Sequence, residues 1–310
     1  MKLPPKLWFQ WQRLKKAWGL SSDREGGTPN SSVRMCPHCR ALIDRDASVC
    51  PFCGERTGPV RARGSTSTPG RVLGVIPVPT TATSVIVVAN LALYAISWYM
   101  TQNSAASQLY GAPAMGGIGG DVLWRLGDKS PEIFQANQWW RLVTAMFLHL
   151  GVLHIGMNMW CLVDLGPEVE SLFSTTKFTV LYLVTGVAGF LLSLWWSPFG
   201  RSVGASGAVL GLIGILIGAS FHHGHLGREY RGQLWKWVIY IAIFGIFFNA
   251  DNAAHFGGLI AGLALGYFIP EGEPATRSGE NLWNALAVLC VLIIAGSFVL
   301  MALQLGQPLR

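Results

Sequence analysis

Seven apolar stretches follow one another between residues 83 and 303, and no other feature constrains this chain as much. A helix needs about 20 residues to cross a hydrocarbon core, and in lipid every backbone N–H and C=O must find a partner inside its own helix or a closed barrel. The stretches cover residues 83–100, 142–165, 178–196, 204–221, 234–248, 253–269 and 282–303. The expectation is therefore an all-α polytopic membrane protein with seven spans. The fifth stretch is the shortest, and Trp235 and Trp237 beside it suit an anchor at headgroup level. A content of 37 Gly and only 13% charged residues fits helices that approach one another closely in lipid.

Charge is lopsided. Residues 1–80 hold 13 Lys/Arg against 5 Asp/Glu, whereas the remainder holds 10 against 11. This excess favours a cytoplasmic N-terminus. Within residues 1–20, Leu7, Trp8, Trp11, Leu14 and Trp18 fall near one helical face while Arg13, Lys15 and Lys16 lie elsewhere. That pattern predicts a basic amphipathic segment resting on an anionic bilayer surface.

Two CxxC knuckles follow, Cys36-Pro-His-Cys39 and Cys50-Pro-Phe-Cys53. Paired knuckles can aim four thiolates at one ion, so residues 34–56 are expected to form a small zinc ribbon holding one structural Zn2+. Metal thiolates favour a reducing compartment, again the cytoplasm. Residues 57–82, rich in Gly, Ser, Thr and Pro, read as a flexible linker that would let the module recruit a protein partner. The arm lacks a dense basic run, so nucleic acid is not expected as a ligand.

Polar residues inside spans are costly and mark functional sites by default. The second stretch carries His149, His154 and Asn158, the fourth opens with Gly204-Ala205-Ser206-Gly207, and the sixth carries His255. The second, fourth and sixth spans cross in the same direction, so these residues converge near one membrane face. A serine becomes a nucleophile when a base sits within hydrogen-bond reach, which demands close helix approach. Gly207, Gly211, Gly214 and Gly218 on one helix and Gly258, Gly262 and Gly266 on the other supply small-residue grooves for it. The expected constellation is a Ser206–His255 dyad without an orienting carboxylate. His154 and Asn158, four apart on one helix face, are expected as oxyanion donors, with His149 in structural support.

These residues resemble the rhomboid family of intramembrane serine proteases. GASG at 204–207 is similar to its GxSG nucleophile motif, and AHFGG at 254–258 to its AHxxG base motif. His149, His154 and Asn158 reproduce HxxxxHxxxN; Trp140-Arg141 resembles the Trp-Arg pair of the first loop; Leu165-Gly166 with Val169-Glu170 resembles LGxxVE. The resemblance implies a six-helix core over residues 83–270, an additional seventh helix at 281–304, and structural support from Gly204, Gly207, Gly258, Trp140, Arg141 and Glu170. It implies hydrolysis of peptide bonds in or near transmembrane segments of other membrane proteins in the lipid bilayer, with no catalytic cofactor. The location expected is a bacterial inner membrane, with the active site opening towards the outer face. Some rhomboids place Tyr one turn after the nucleophile, where the ring stacks under the base. This chain has Leu210, which leaves the orientation of His255 to other packing.

Overall fold

The computed structural model describes residues 80–247 and 250–306 continuously, and before them residues 33–35, 42–44, 47, 49–51, 54, 71–72 and 76–77. The chain divides into two units, Met1–Ile76 and Pro77–Arg310. In the first, β1 (Val33–Met35) pairs antiparallel with β2 (Leu42–Asp44), and Ile43, Ala47 and Cys50 form a small apolar cluster. Strands β3 (Arg71–Val72) and β4 (Ile76–Pro77) form another two-stranded pair.

The zinc expectation is corrected. Among the described residues no group of three or more His, Cys, Asp or Glu could hold a metal ion. Cys50 is described and buried, whereas Cys36, Cys39 and Cys53 lie outside the described residues. A metal site needs its donors to converge in space, and CxxC spacing by itself does not establish that convergence. The zinc ribbon and its Zn2+ are therefore not assigned. The basic segment at 1–20 and most of the linker at 57–82 also lie outside the described residues.

The second unit is helical. Its long elements are α1 (Thr81–Gln102), α6 (Val152–Phe173), α7 (Thr175–Trp196), α8 (Ser206–Ala219), α9 (Gly224–Phe247), α10 (Asn252–Phe268) and α11 (Arg277–Leu305). Short helices α2 (Ala105–Tyr110), α3 (Gly120–Arg125), α4 (Glu132–Gln135) and α5 (Arg141–Thr144) fill the connection between α1 and α6. Aromatic and aliphatic side chains such as Trp160, Phe247, Phe268 and Leu292 face outwards, as a lipid solvent allows.

The chain is a multi-pass integral membrane protein, but the expected six-plus-one count is corrected. Among the described residues four helices are long and apolar enough to cross a membrane: Thr81–Gln102, Thr175–Trp196, Ser206–His223 and Arg277–Leu305. A fifth crossing is available if Arg141–Phe147 and Val152–Phe173, bent by 92°, act as one broken span. Charges at Arg228, Glu229, Arg231 and Lys236 dilute the apolar run of α9, and α10 has only 17 residues. Both are helices, yet neither has the combined length and apolarity of a span that their apolar runs suggested.

Helix α8 is the hub, buried along its length between α7 and α10. Its contact with α10 is backbone on backbone. A Cβ at Gly258, Gly262 or Gly266 would lie 1.9, 2.0 or 2.1 Å from the carbonyl oxygens of Gly207, Gly211 and Ile215. Elsewhere polar side chains tie helix ends together. Glu170 accepts from the backbone N–H groups of Ala82 (3.1 Å) and Thr83 (3.1 Å) at the start of α1, and from Thr80 and Thr175 hydroxyls. It thus satisfies donors that a helix start leaves open. Lys177 donates to the carbonyls of Pro270 (2.7 Å) and Gly272 (2.8 Å) beyond α10.

Gly262→Ala is expected to push α8 and α10 apart and destabilise the fold by about 1–3 kcal/mol. Thermal unfolding in detergent measures this, with Gly296→Ala as the control, since a Cβ at 296 meets nothing within 4 Å.

Candidate active site

The backbone approach of α8 and α10 brings their N-terminal ends together. Ser206 is the first residue of α8 and His255 lies in the first turn of α10. His255 Nε2 stands 2.8 Å from Ser206 Oγ, within hydrogen-bond range. His255 is 8% exposed, so bulk water does not compete strongly for that bond.

Gly204 shapes the approach to Ser206. Its φ of +133° lies in a region that side chains disfavour, and a Cβ there would sit 2.9 Å from both Cε1 and Nε2 of His154. Its N–H is held by the Ala145 carbonyl at 2.9 Å. The first glycine of the GASG run thus serves the backbone turn and admits the His154 ring.

His154 lies at the start of α6. Its Nδ1 accepts from the Leu150 N–H at 3.2 Å, which leaves the proton on Nε2, the nitrogen nearest Gly204. Asn158, 6% exposed, donates one Nδ2 hydrogen to the His154 carbonyl at 2.9 Å, and its second remains available. The Ser206 N–H belongs to the first turn of α8, where donors have no intrahelical partner. His149 is fully buried and packs edge-on against His154, with ring centroids 5.1 Å apart.

One group beside His255 was not singled out in the sequence. Asn252, one turn before it, places Oδ1 3.2 Å from His255 Nδ1. Asp251 is occupied elsewhere: it caps α10 by accepting from the Ala254 N–H at 3.0 Å and bonds the Ser193 hydroxyl. The run NAAH carries the signal for Asn252, because residues three apart share a helix face.

A cavity of about 830 Å³ opens over these residues. Met157, Phe190 and Leu210 line an apolar part, and Asp128, Lys129 and Arg201 a polar one. The polar part is anchored by the connection before α6. Arg141, wholly buried, lies 5.4 and 5.1 Å from the Trp124 and Trp140 ring centroids and donates to the Trp124 carbonyl at 2.8 Å. Asp128 pairs with Arg141 at 3.4 Å and accepts from Arg201 Nε at 2.7 Å. Burial pushes the Asp128 carboxyl up from its ordinary range, and the charges of Arg201 and Arg141 with hydrogen bonds from Arg201 and Ser130 oppose that rise. Lys129 Nζ donates to the Ser197 and Gly200 carbonyls at 2.5 and 2.9 Å, fixing the segment that leads to Gly204.

Residues 136–271 match the family model described as "Rhomboid domain". This stretch is similar to a rhomboid domain. All the residues gathered around Ser206 lie inside it except the polar rim before residue 136. The chain is 36% identical over 141 residues to "RHOMBOID-like protein 6, mitochondrial" of Arabidopsis thaliana, covering 44% of this chain and 46% of that protein. It is 30% identical over 182 residues to "Rhomboid protease GluP" of Bacillus subtilis (strain 168), covering 56% and 34%. It is 29% identical over 226 residues to "Rhomboid-like protease 3" of Toxoplasma gondii, covering 71% and 81%. The chain thus spans about half or less of the first two of these relatives.

Asp128→Asn is expected to remove the carboxylate paired with the buried Arg141 and to lower stability by about 3–5 kcal/mol. A fall in melting temperature in detergent checks it; the conservative Arg201→Lys, at a half-exposed partner, is expected to have a far smaller effect.

Proposed function

We propose that this protein is an intramembrane serine endopeptidase of the rhomboid type, with transmembrane segments of other membrane proteins as its substrates. The observation that carries the reading is the 2.8 Å contact between Ser206 Oγ and His255 Nε2 at the floor of a cavity. His255 takes the hydroxyl proton as Ser206 Oγ attacks the scissile carbonyl carbon. The C–N bond then breaks as His255 returns the proton to the leaving amine, giving an acyl-serine. Water, activated by His255, hydrolyses that ester and regenerates Ser206.

Charge develops on the carbonyl oxygen in the tetrahedral intermediate. The donors available to it are His154 Nε2–H, the unused Asn158 hydrogen and the Ser206 N–H at the positive end of α8. The substrate must present an accessible carbonyl, which an intact helix withholds in its own hydrogen bonds. Segments that unwind readily near small residues are the substrates this site favours. The polar side of the cavity, around Asp128, Lys129 and Arg201, admits the hydrolytic water.

The Lys/Arg excess before residue 81 favours a cytoplasmic N-terminal arm in a bacterial inner membrane. With α1 crossing outwards, α6 begins on the far side. The site at the N-terminal ends of α6, α8 and α10 then opens towards the outer face.

Ser206→Ala and His255→Ala are each expected to abolish cleavage of a transmembrane reporter in membranes while insertion is unchanged. Asn158→Ala is expected to lower kcat by about 10²–10³-fold, the usual loss of one oxyanion donor. Sequencing of released fragments provides the readout. Cleavage by Ser206→Ala at the normal rate contradicts the assignment, whereas reporter binding without cleavage by the wild type favours a silent, client-binding relative.

A further inference from the structure

Leu210 offers no ring to His255, so another group must orient the base. The Asn252 side chain bridges two helices. Its Oδ1 lies 3.2 Å from His255 Nδ1, and its Nδ2 lies 3.5 Å from the Ala242 carbonyl of α9. One turn after Ala242, Gly245 leaves the space that the amide occupies, since a Cβ there would sit 2.3 Å from Asn252 Oδ1. The neighbouring carboxylate of Asp251 is committed to Ala254 and Ser193, so it does not compete for the ring.

Resting on the reading of Ser206 and His255 as the reacting pair, we propose that Asn252 is a positioning residue. It holds His255 as the Nδ1–H tautomer and is itself held by Ala242 and Gly245 of α9. The argument is one of donors and acceptors. A backbone carbonyl only accepts, so the amide turns its NH2 towards Ala242 and its oxygen towards His255. That oxygen also only accepts, so the imidazole proton resides on Nδ1. Nε2 then carries a lone pair directed at Ser206 Oγ, 2.8 Å away. With the proton on Nε2 the ring would face the hydroxyl as a donor and could not take its proton. The amide is neutral, so its contribution is orientation and tautomer, without the charge that a triad carboxylate brings. Because Asn252 is clamped by α9, the setting of the base depends on a helix that bears neither reacting group.

The test compares wild type, Ser206→Ala, Asn252→Ala, Asn252→Asp and Gly245→Ala in detergent. It measures kcat and KM on a transmembrane reporter, labelling by a fluorophosphonate serine probe, and melting temperature. Asn252→Ala is expected to lower kcat and the labelling rate by about 10–100-fold, a modest share of the effect of general-base catalysis, with KM and melting temperature little changed. Asn252→Asp keeps an acceptor oxygen and is expected to recover most of the lost rate. Gly245→Ala adds a Cβ that displaces the Asn252 amide, so a purely structural amide would lower the melting temperature along with any loss of rate. The proposal instead expects kcat to fall with no loss of melting temperature. Full activity of Asn252→Ala and Gly245→Ala, with Ser206→Ala inactive, overturns the role of Asn252 and leaves the dyad standing. Equal losses in Asn252→Ala and Asn252→Asp, accompanied by lower melting temperatures, also overturn it, in favour of a structural amide. Normal cleavage by Ser206→Ala removes the reading on which the proposal rests.

Discussion

The backbone contact between α8 and α10 is the constraint from which the rest of the site follows. Lipid tails are as apolar as leucine, so little hydrophobic force holds two helices together in a bilayer, and close van der Waals packing must do so. Gly258, Gly262 and Gly266 each seat over a carbonyl of α8, at Gly207, Gly211 and Ile215. The register is set by this row of contacts. Gly207 follows Ser206 by one residue and Gly258 follows His255 by three, so the fit that seats Gly258 on Gly207 also brings His255 to Ser206. The contact between Ser206 and His255 is a consequence of helix packing and needs no separate device to create it.

A second dependence runs through the connection before α6. Burying Arg141 and Asp128 costs solvation that only close pairing and hydrogen bonding can offset. Here the guanidinium finds carbonyls, a carboxylate and two indole faces. The result is a rigid polar rim beside an apolar cavity. Lys129 extends the rim by gripping the Ser197–Gly200 turn, which feeds into the strained Gly204 and so into the first turn of α8. A polar entrance and a precisely held serine thus depend on the same set of buried charges.

Much of this was legible in the sequence. Ser206, His255, His154 and Asn158 could be picked out because polar groups are rare in apolar runs, and the Gly spacing on both helices pointed to their close contact. The number of crossings was not legible. Counting apolar runs does not show that α9 begins ten residues before its run among charged residues, that α10 ends after 17 residues, or that the run from 142 to 165 breaks by 92° before Val152. The paired CxxC knuckles gave the right donor types for zinc but could not show that they converge. Asn252 escaped notice for a different reason. An asparagine beside a helix start reads as a cap, and here Asp251 performs the capping while Asn252 is free to bridge.

Two histidines for which opposite tasks are proposed share this site, and their difference lies in what each Nδ1 meets. At His154 the partner is a donor, the Leu150 N–H, so Nδ1 is bare and Nε2 carries the proton. At His255 the partner is the Asn252 oxygen, an acceptor, so Nδ1 carries the proton and Nε2 is bare. The two rings are chemically identical, yet one presents a donor towards Gly204 and the other an acceptor towards Ser206. An oxyanion needs the first and a serine hydroxyl needs the second. Neither assignment requires a charged partner, which suits a site where an additional buried carboxylate would carry a heavy desolvation cost. Neutral amide and backbone groups can fix a tautomer without that cost, so a bundle in lipid can hold a base in working orientation with Asn252 where a water-soluble triad uses an acid.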